Sequence, residues 1–131
     1  MSTAEILIFA IAAHFVGDYL LQTNHMALEK TSRWTPAILH GITYTIPFLF
    51  LTSSPLALFF ISVTHILIDR FRLVKYVIWF KNQIAPKRHR HSMTPTGYHP
   101  DTPDWLAIGL MIVTDNLIHI LLNAFALLCL T

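Results

Sequence analysis

Seven residues of metal-ligating type stand at matched spacings inside apolar stretches of this sequence. His14 and Asp18 are four residues apart, as are His65 and Asp69; the pair recurs reversed as Asp115 and His119, and His40 adds a fourth imidazole. A four-residue step puts two side chains on one face of a helix about one turn apart, so both can approach a single ion. The stripes continue at the same step, with Gln22 after Asp18, Tyr44 after His40 and Asn123 after His119, while Asn116 adjoins Asp115. Four imidazoles and three carboxylates suit one or two divalent first-row ions, zinc, manganese or iron, and are too rich in nitrogen for calcium or magnesium alone.

On this reading His14, Asp18, His40, His65, Asp69, Asp115 and His119 are the metal ligands. Asp18, Asp69 and Asp115 are the catalytic candidates, one of them bridging ions or acting as base. Gln22, Tyr44, Asn116 and Asn123 orient ligands or substrate. The competing readings are a proton or ion relay and a purely structural hydrogen-bonded network. Taken alone, a membrane histidine such as His40 is more often a packing residue than a ligand. An isolated Asp at the centre of a membrane helix costs at least ~2.5–3.5 kcal/mol, so three of them need partners whichever reading holds. His25, His89, His91 and His99 lie in polar segments and read as surface histidines, and Asp101 and Asp104 as helix-start residues. The single Cys129 excludes an internal disulfide and any multi-cysteine metal site.

The elements that must position these residues are apolar blocks. The chain of 131 residues is 54% hydrophobic and only 12% charged, with mean hydropathy +0.55, far from the roughly one quarter charged residues of a soluble domain. Lipid can cover that much apolar surface; a soluble chain of this length cannot hide it. Four blocks alternate with polar punctuation, at about 4–22, 36–51, 56–80 and 104–130, against the ~20 residues that span ~30 Å of hydrocarbon. The fold expected is an all-α membrane protein, a single domain of four transmembrane helices. The first block has Glu5 and no basic residue before Lys30, unlike a signal peptide.

Lysine and arginine set the expected orientation. Lys30 and Arg33 fall between the first two blocks, and Arg70, Arg72, Lys75, Lys81, Lys87, Arg88 and Arg90 fall at the end of the third or before the fourth. Four spans bring all nine to one face, which the positive-inside bias makes cytoplasmic. The basic 81–103 connection then faces the cytoplasm and both termini face away, in a bacterial inner membrane. Counted from that face, all seven His and Asp lie in the cytoplasmic half or near the midplane, Asp shallower than His in each pair. A net charge of +2 is too small to argue for nucleic acid. Membrane lipid is the expected partner, and a homo-oligomer is compatible.

The run Ala13-His14-Phe15-Val16-Gly17-Asp18-Tyr19-Leu20-Leu21-Gln22, followed by Lys30 and His40, resembles the DUF3307 family of small bacterial and phage membrane proteins. So do His65-Ile66-Leu67-Ile68-Asp69, Pro103-Asp104-Trp105-Leu106 and Asp115-Asn116-Leu117-Ile118-His119. The resemblance supports grouping these residues and supplies no reaction. A looser likeness, to small membrane-bound metal-dependent hydrolases, is by analogy. The function expected is a metal-dependent hydrolase near the cytoplasmic membrane face, acting on an anionic amphiphile or phosphoester. The alternatives are a proton or metal-ion transporter, and a non-catalytic membrane module with a structural metal.

Overall fold

The computed structural model describes residues 1–131. It is all-helical, with no strand. The α-helices are α1 (Thr3–Phe15), α2 (Asn24–Glu29), α3 (Trp34–Thr45), α4 (Pro55–Phe71), α5 (Val74–Asn82) and α6 (Asp104–Cys129). A π-helical segment, Val16–Leu20, extends α1, and a 3-10 segment, Ile46–Phe50, extends α3. By contacts the chain divides into two compact units, residues 1–71 with 119–131, and residues 72–118.

Local chemistry accounts for the helix starts. Ser2 and Glu5 form a reciprocal capping box on α1, which satisfies two of the backbone donors that every helix start leaves open. The Thr23 hydroxyl caps α2 by accepting from Met26 N at 3.3 Å. Pro36 lies in the first turn of α3, which begins two residues before it. Ser54 caps α4 through Ala57 N, and its hydroxyl donates to the Leu130 carbonyl at 2.7 Å. That second bond ties the start of α4 to the far end of the chain.

Two expectations about the helices need correction. The third apolar block is not one helix: it breaks between Phe71 and Val74, where Arg72 adopts a left-handed conformation (φ 47°). No glycine or proline marks the break. The Arg70 guanidinium holds the end of α4, donating to the carbonyls of Thr31 and Ser32 and lying over the rings of Trp34 and Phe71. The second correction concerns span lengths. Thr3–Leu20 and Asp104–Cys129 are long and apolar enough to cross a membrane, at mean hydropathy 1.4 and 1.8. At 12 residues α3 is shorter than a membrane span of about 17–25 residues, and α4, at 17, lies at its lower end. The helical class therefore holds, with two helices that meet both length and hydropathy for crossing a membrane.

In the first unit, α1, α3, α4 and the end of α6 each carry apolar and polar buried positions along one stripe. Buried positions run Ala10, Ala13, His14, Gly17, Asp18 on α1 and its extension, and Ala57, Ile61, His65, Ile68, Asp69 on α4. On α3 they run Ala37, His40, Gly41, Tyr44, with Phe48 beyond; on α6 they are His119, Asn123, Ala126 and Leu127. The apolar ends form one cluster of Ala10, Ala13, Tyr44, Phe48, Ala57, Ile61, Ala126 and Leu127. Four of these are alanines, which let helix backbones approach closely. Above that layer the interior is made of imidazole and carboxylate.

In the second unit the 81–103 segment is folded onto α5 rather than hanging free. Trp79 Nε1 donates to the His91 carbonyl at 2.9 Å and Asn82 Nδ2 to the Gly97 carbonyl at 3.1 Å. Gly97 makes this possible: its φ is +82°, and a Cβ there would lie 2.3 Å from the Lys75 carbonyl.

Candidate metal centre

The π-helical turn positions the first carboxylate. Leu21 N bonds the Val16 carbonyl at 3.0 Å, a five-residue step, which widens the helix just where Asp18 leaves it; such single π turns recur at functional sites. Gly17 lets this turn rest against α3. A Cβ there would fall 2.7 Å from Tyr44 Cδ2 and 2.9 Å from the Tyr44 carbonyl oxygen. The second carboxylate, Asp69, lies one turn beyond His65 on α4.

Four ligand atoms converge. His40 Nε2 lies 2.9 Å from His65 Nε2, 3.1 Å from Asp18 Oδ1 and 3.4 Å from Asp69 Oδ2. His65 Nε2 lies 3.5 Å from Asp18 Oδ1 and 3.3 Å from Asp69 Oδ2. All four residues are buried and their ligand atoms are within metal-binding distance. A tetrahedral ion bonded at about 2.0–2.2 Å separates neighbouring ligand atoms by roughly 3.3–3.6 Å. Three of the five spacings fall in that range. The two shorter ones both involve His40 Nε2 and are hydrogen-bond lengths, as they would be if that nitrogen carried a proton toward Asp18 and His65. An ion taking the proton's place requires His40 to retreat by a few tenths of an ångström.

Each carboxylate offers its other oxygen to a different histidine. Asp69 Oδ1 lies 3.2 Å from His119 Nε2, and Asp18 Oδ2 lies 3.8 Å from His14 Nε2. The contacts also assign tautomers. His119 Nε2, facing a carboxylate, carries the proton there, leaving Nδ1 to accept from His65 Nδ1 at 3.3 Å. His65 Nε2 is then a bare lone pair aimed into the centre, the form a metal ligand requires. Tyr44 supports the ring, stacked on His65 at 3.6 Å between centroids and 11° between planes. Its hydroxyl accepts from Asn123 Nδ2 at 2.6 Å and donates to His14 Nδ1 at 2.8 Å. His40 has no such outer support, since its buried Nδ1 lacks a hydrogen-bond partner.

Of the seven expected ligands, His14, Asp18, His40, His65, Asp69 and His119 therefore gather in one buried cluster, four of them around one point. Asp115 stands one turn before His119 on α6, half-buried, with Asn116 beside it; both belong to the other compact unit. Tyr44 stacks on His65 and meets His14 through its hydroxyl, and Asn123 reaches the cluster through that same hydroxyl. Gln22 acts on the backbone instead: its Nε2 donates to the Asp18 carbonyl at 3.0 Å. Lys30 is the residue that sequence reading passed over as part of the site. Its Nζ lies 2.6 Å from Asp69 Oδ2, across a separation of 39 residues that no local pattern reveals.

The family described as Protein of unknown function (DUF3307) matches residues 6–96. The chain belongs to the DUF3307 family. The matched stretch contains all four converging residues and Lys30, and ends before α6 with His119 and Asn123. No curated protein matches the chain, and no solved structure does.

Proposed function

We propose that this DUF3307 protein is a membrane-embedded, metal-dependent hydrolase with its centre at Asp18, His40, His65 and Asp69. The observation that carries the reading is the convergence of two imidazole nitrogens and two carboxylate oxygens at 2.9–3.5 Å. Zinc, manganese and iron suit this donor set. A membrane setting is supported by an inside-out distribution. The interior holds His14, Asp18, His40, His65, Asp69, His119 and Asn123, while Ile8, Leu20, Phe50, Phe59, Trp105 and Val113 are exposed. The basic residues and the 81–103 segment then face the cytoplasm, and both termini face away, by the positive-inside bias.

Four protein ligands on one ion close its coordination sphere, the mark of a structural site, whereas catalysis needs a position for water or substrate. The outward oxygens of the two carboxylates meet that need. Asp69 Oδ1, held by the proton of His119 Nε2, would be the oxygen to take a second ion, with His119 as its hydrogen-bond donor rather than a ligand. An ion with an open position would supply a water whose pKa is drawn toward ~7; hydrolysis would join that oxygen to the phosphorus or carbonyl carbon of the ester, break its bond to the leaving oxygen and pass the proton to that oxygen. In the test, the purified protein loaded with ion is incubated with phospholipids and phosphoesters. We expect turnover that chelation abolishes and Asp69→Asn removes; a fully loaded protein that hydrolyses none of them overturns the enzymatic reading.

One observation favours a second reading, a proton relay. The rings of His40, His65 and His119 are linked nitrogen to nitrogen at 2.9 and 3.3 Å, and intramembrane His and Asp chains conduct protons. Proteoliposomes that carry protons in the presence of a chelator would favour the relay over the hydrolase.

A further inference from the structure

Lys30 is the one lysine or arginine whose side chain touches the buried cluster. It caps the end of α2, and its ammonium rests on Asp69 Oδ2 at 2.6 Å, the same oxygen that faces His40 and His65. Its side chain is 18% exposed against 5% for that of Asp69, so Lys30 lies on the open side of the cluster. The nearby acid Glu29 is engaged elsewhere, with Arg33 and His25.

Charge balance gives this contact a consequence. With neutral imidazoles, Asp18 and Asp69 carry two negative charges, which one divalent ion neutralises in full. The Lys30 ammonium is then a surplus cation beside a dication, in a medium that screens poorly. An anion touching both relieves the repulsion. Phosphate oxygens fit: they ligate hard and borderline divalent ions, and lysine binds phosphate as a point charge.

We propose that Lys30 is the oxyanion-binding group of the centre. When the ion is seated, the ammonium turns from Asp69 to a phosphate group that also ligates the ion. Without the ion it stays on Asp69 and fills part of the cation's place. This rests on the metal-centre reading and names its substrate class as phosphate esters, with a lipid headgroup and a soluble ester as the two sources.

The experiment measures bound metal, then titrates inorganic phosphate and a short-chain phosphatidate into ion-loaded and ion-free protein in detergent. We expect the ion-loaded wild type to bind phosphate at least tenfold more tightly than the ion-free form. Lys30→Gln should lose at least tenfold in phosphate affinity while keeping the same equivalents of ion, and Lys30→Arg should retain most of the binding. Tighter binding of phosphatidate than of phosphate identifies the lipid source; equal binding identifies the soluble one. Should Lys30→Gln not fold, Lys30→Met, which keeps an apolar stem without the charge, supplies the same test, and wild-type phosphate affinity in that variant overturns the role of Lys30. Phosphate affinity unchanged in Lys30→Gln, or equal with and without ion, overturns the role of Lys30 and leaves the metal centre standing. A protein that takes up no ion removes the metal centre and this inference with it.

Discussion

The contact between His40 Nε2 and His65 Nε2, 2.9 Å long, sets the chemistry at the residue scale. Two ring nitrogens at that distance share a proton, and an ion held with the two carboxylate oxygens beside them can replace it once His40 draws back by a few tenths of an ångström. Replacing His65 with Ala removes a ligand and the ring on which Tyr44 stacks. We expect that variant to lose its bound ion, and with it the added stability that ligand linkage gives, ~2.7 kcal/mol at an ion concentration of 100 times Kd. Thermal melts with and without ion check this: the shift seen in the wild type should vanish in the variant. Tyr44→Phe separates ring from hydroxyl. It keeps the stack on His65 but leaves His14 Nδ1 and Asn123 Nδ2 without their shared partner, a cost of about 1–3 kcal/mol. The ion content of Tyr44→Phe should stay that of the wild type while its melting temperature falls. The His and Asp pairs were legible in the sequence because a four-residue step is a property of one helix. The Lys30–Asp69 contact was not, since it depends on how two helices pack. Gln22 misled for a related reason: the four-residue step that aims a side chain at Asp18 also brings the Asp18 backbone carbonyl within its reach.

At the scale of elements, two backbone features hold the site and neither announced itself. The π turn after Phe15 carries Asp18, and Gly17 within it lies against Tyr44 too closely for any Cβ. Gly17→Ala should destabilise the protein by about 1–3 kcal/mol, since the facing atoms include backbone that cannot move aside. Gly109→Ala is the control. Nothing lies within 4 Å of a Cβ there, so the change should stabilise α6 by up to ~1 kcal/mol. Equal melting temperatures for the two variants would contradict the close packing at Gly17. The break at Arg72 escaped the sequence because hydropathy continues through it to Phe80 without a glycine or proline. Helix starts were more legible: the apolar blocks read from 36 and 56 begin as helices at Trp34 and Pro55, within two residues.

At the scale of the whole chain, the composition showed that the protein is apolar and helical. It did not show how many helices span a membrane, because α3 ends in a 3-10 segment and the third block is two helices. The expected topology is tested by single cysteines at Thr3 and Ser92 on a Cys129→Ala background. Membrane-impermeant reagent should label the two positions from opposite sides, and labelling of both from one side would contradict an odd number of spans between them and the rule of positive charge. The central claim is the metal centre itself, and elemental analysis of the purified protein tests it most directly. The wild type should retain one or two equivalents of zinc, manganese or iron, and Asp18→Ala, His40→Ala, His65→Ala and Asp69→Ala should each lose them. Absence of any stoichiometric ion from the wild type after exposure to all three metals, or full retention in the four variants, would contradict it.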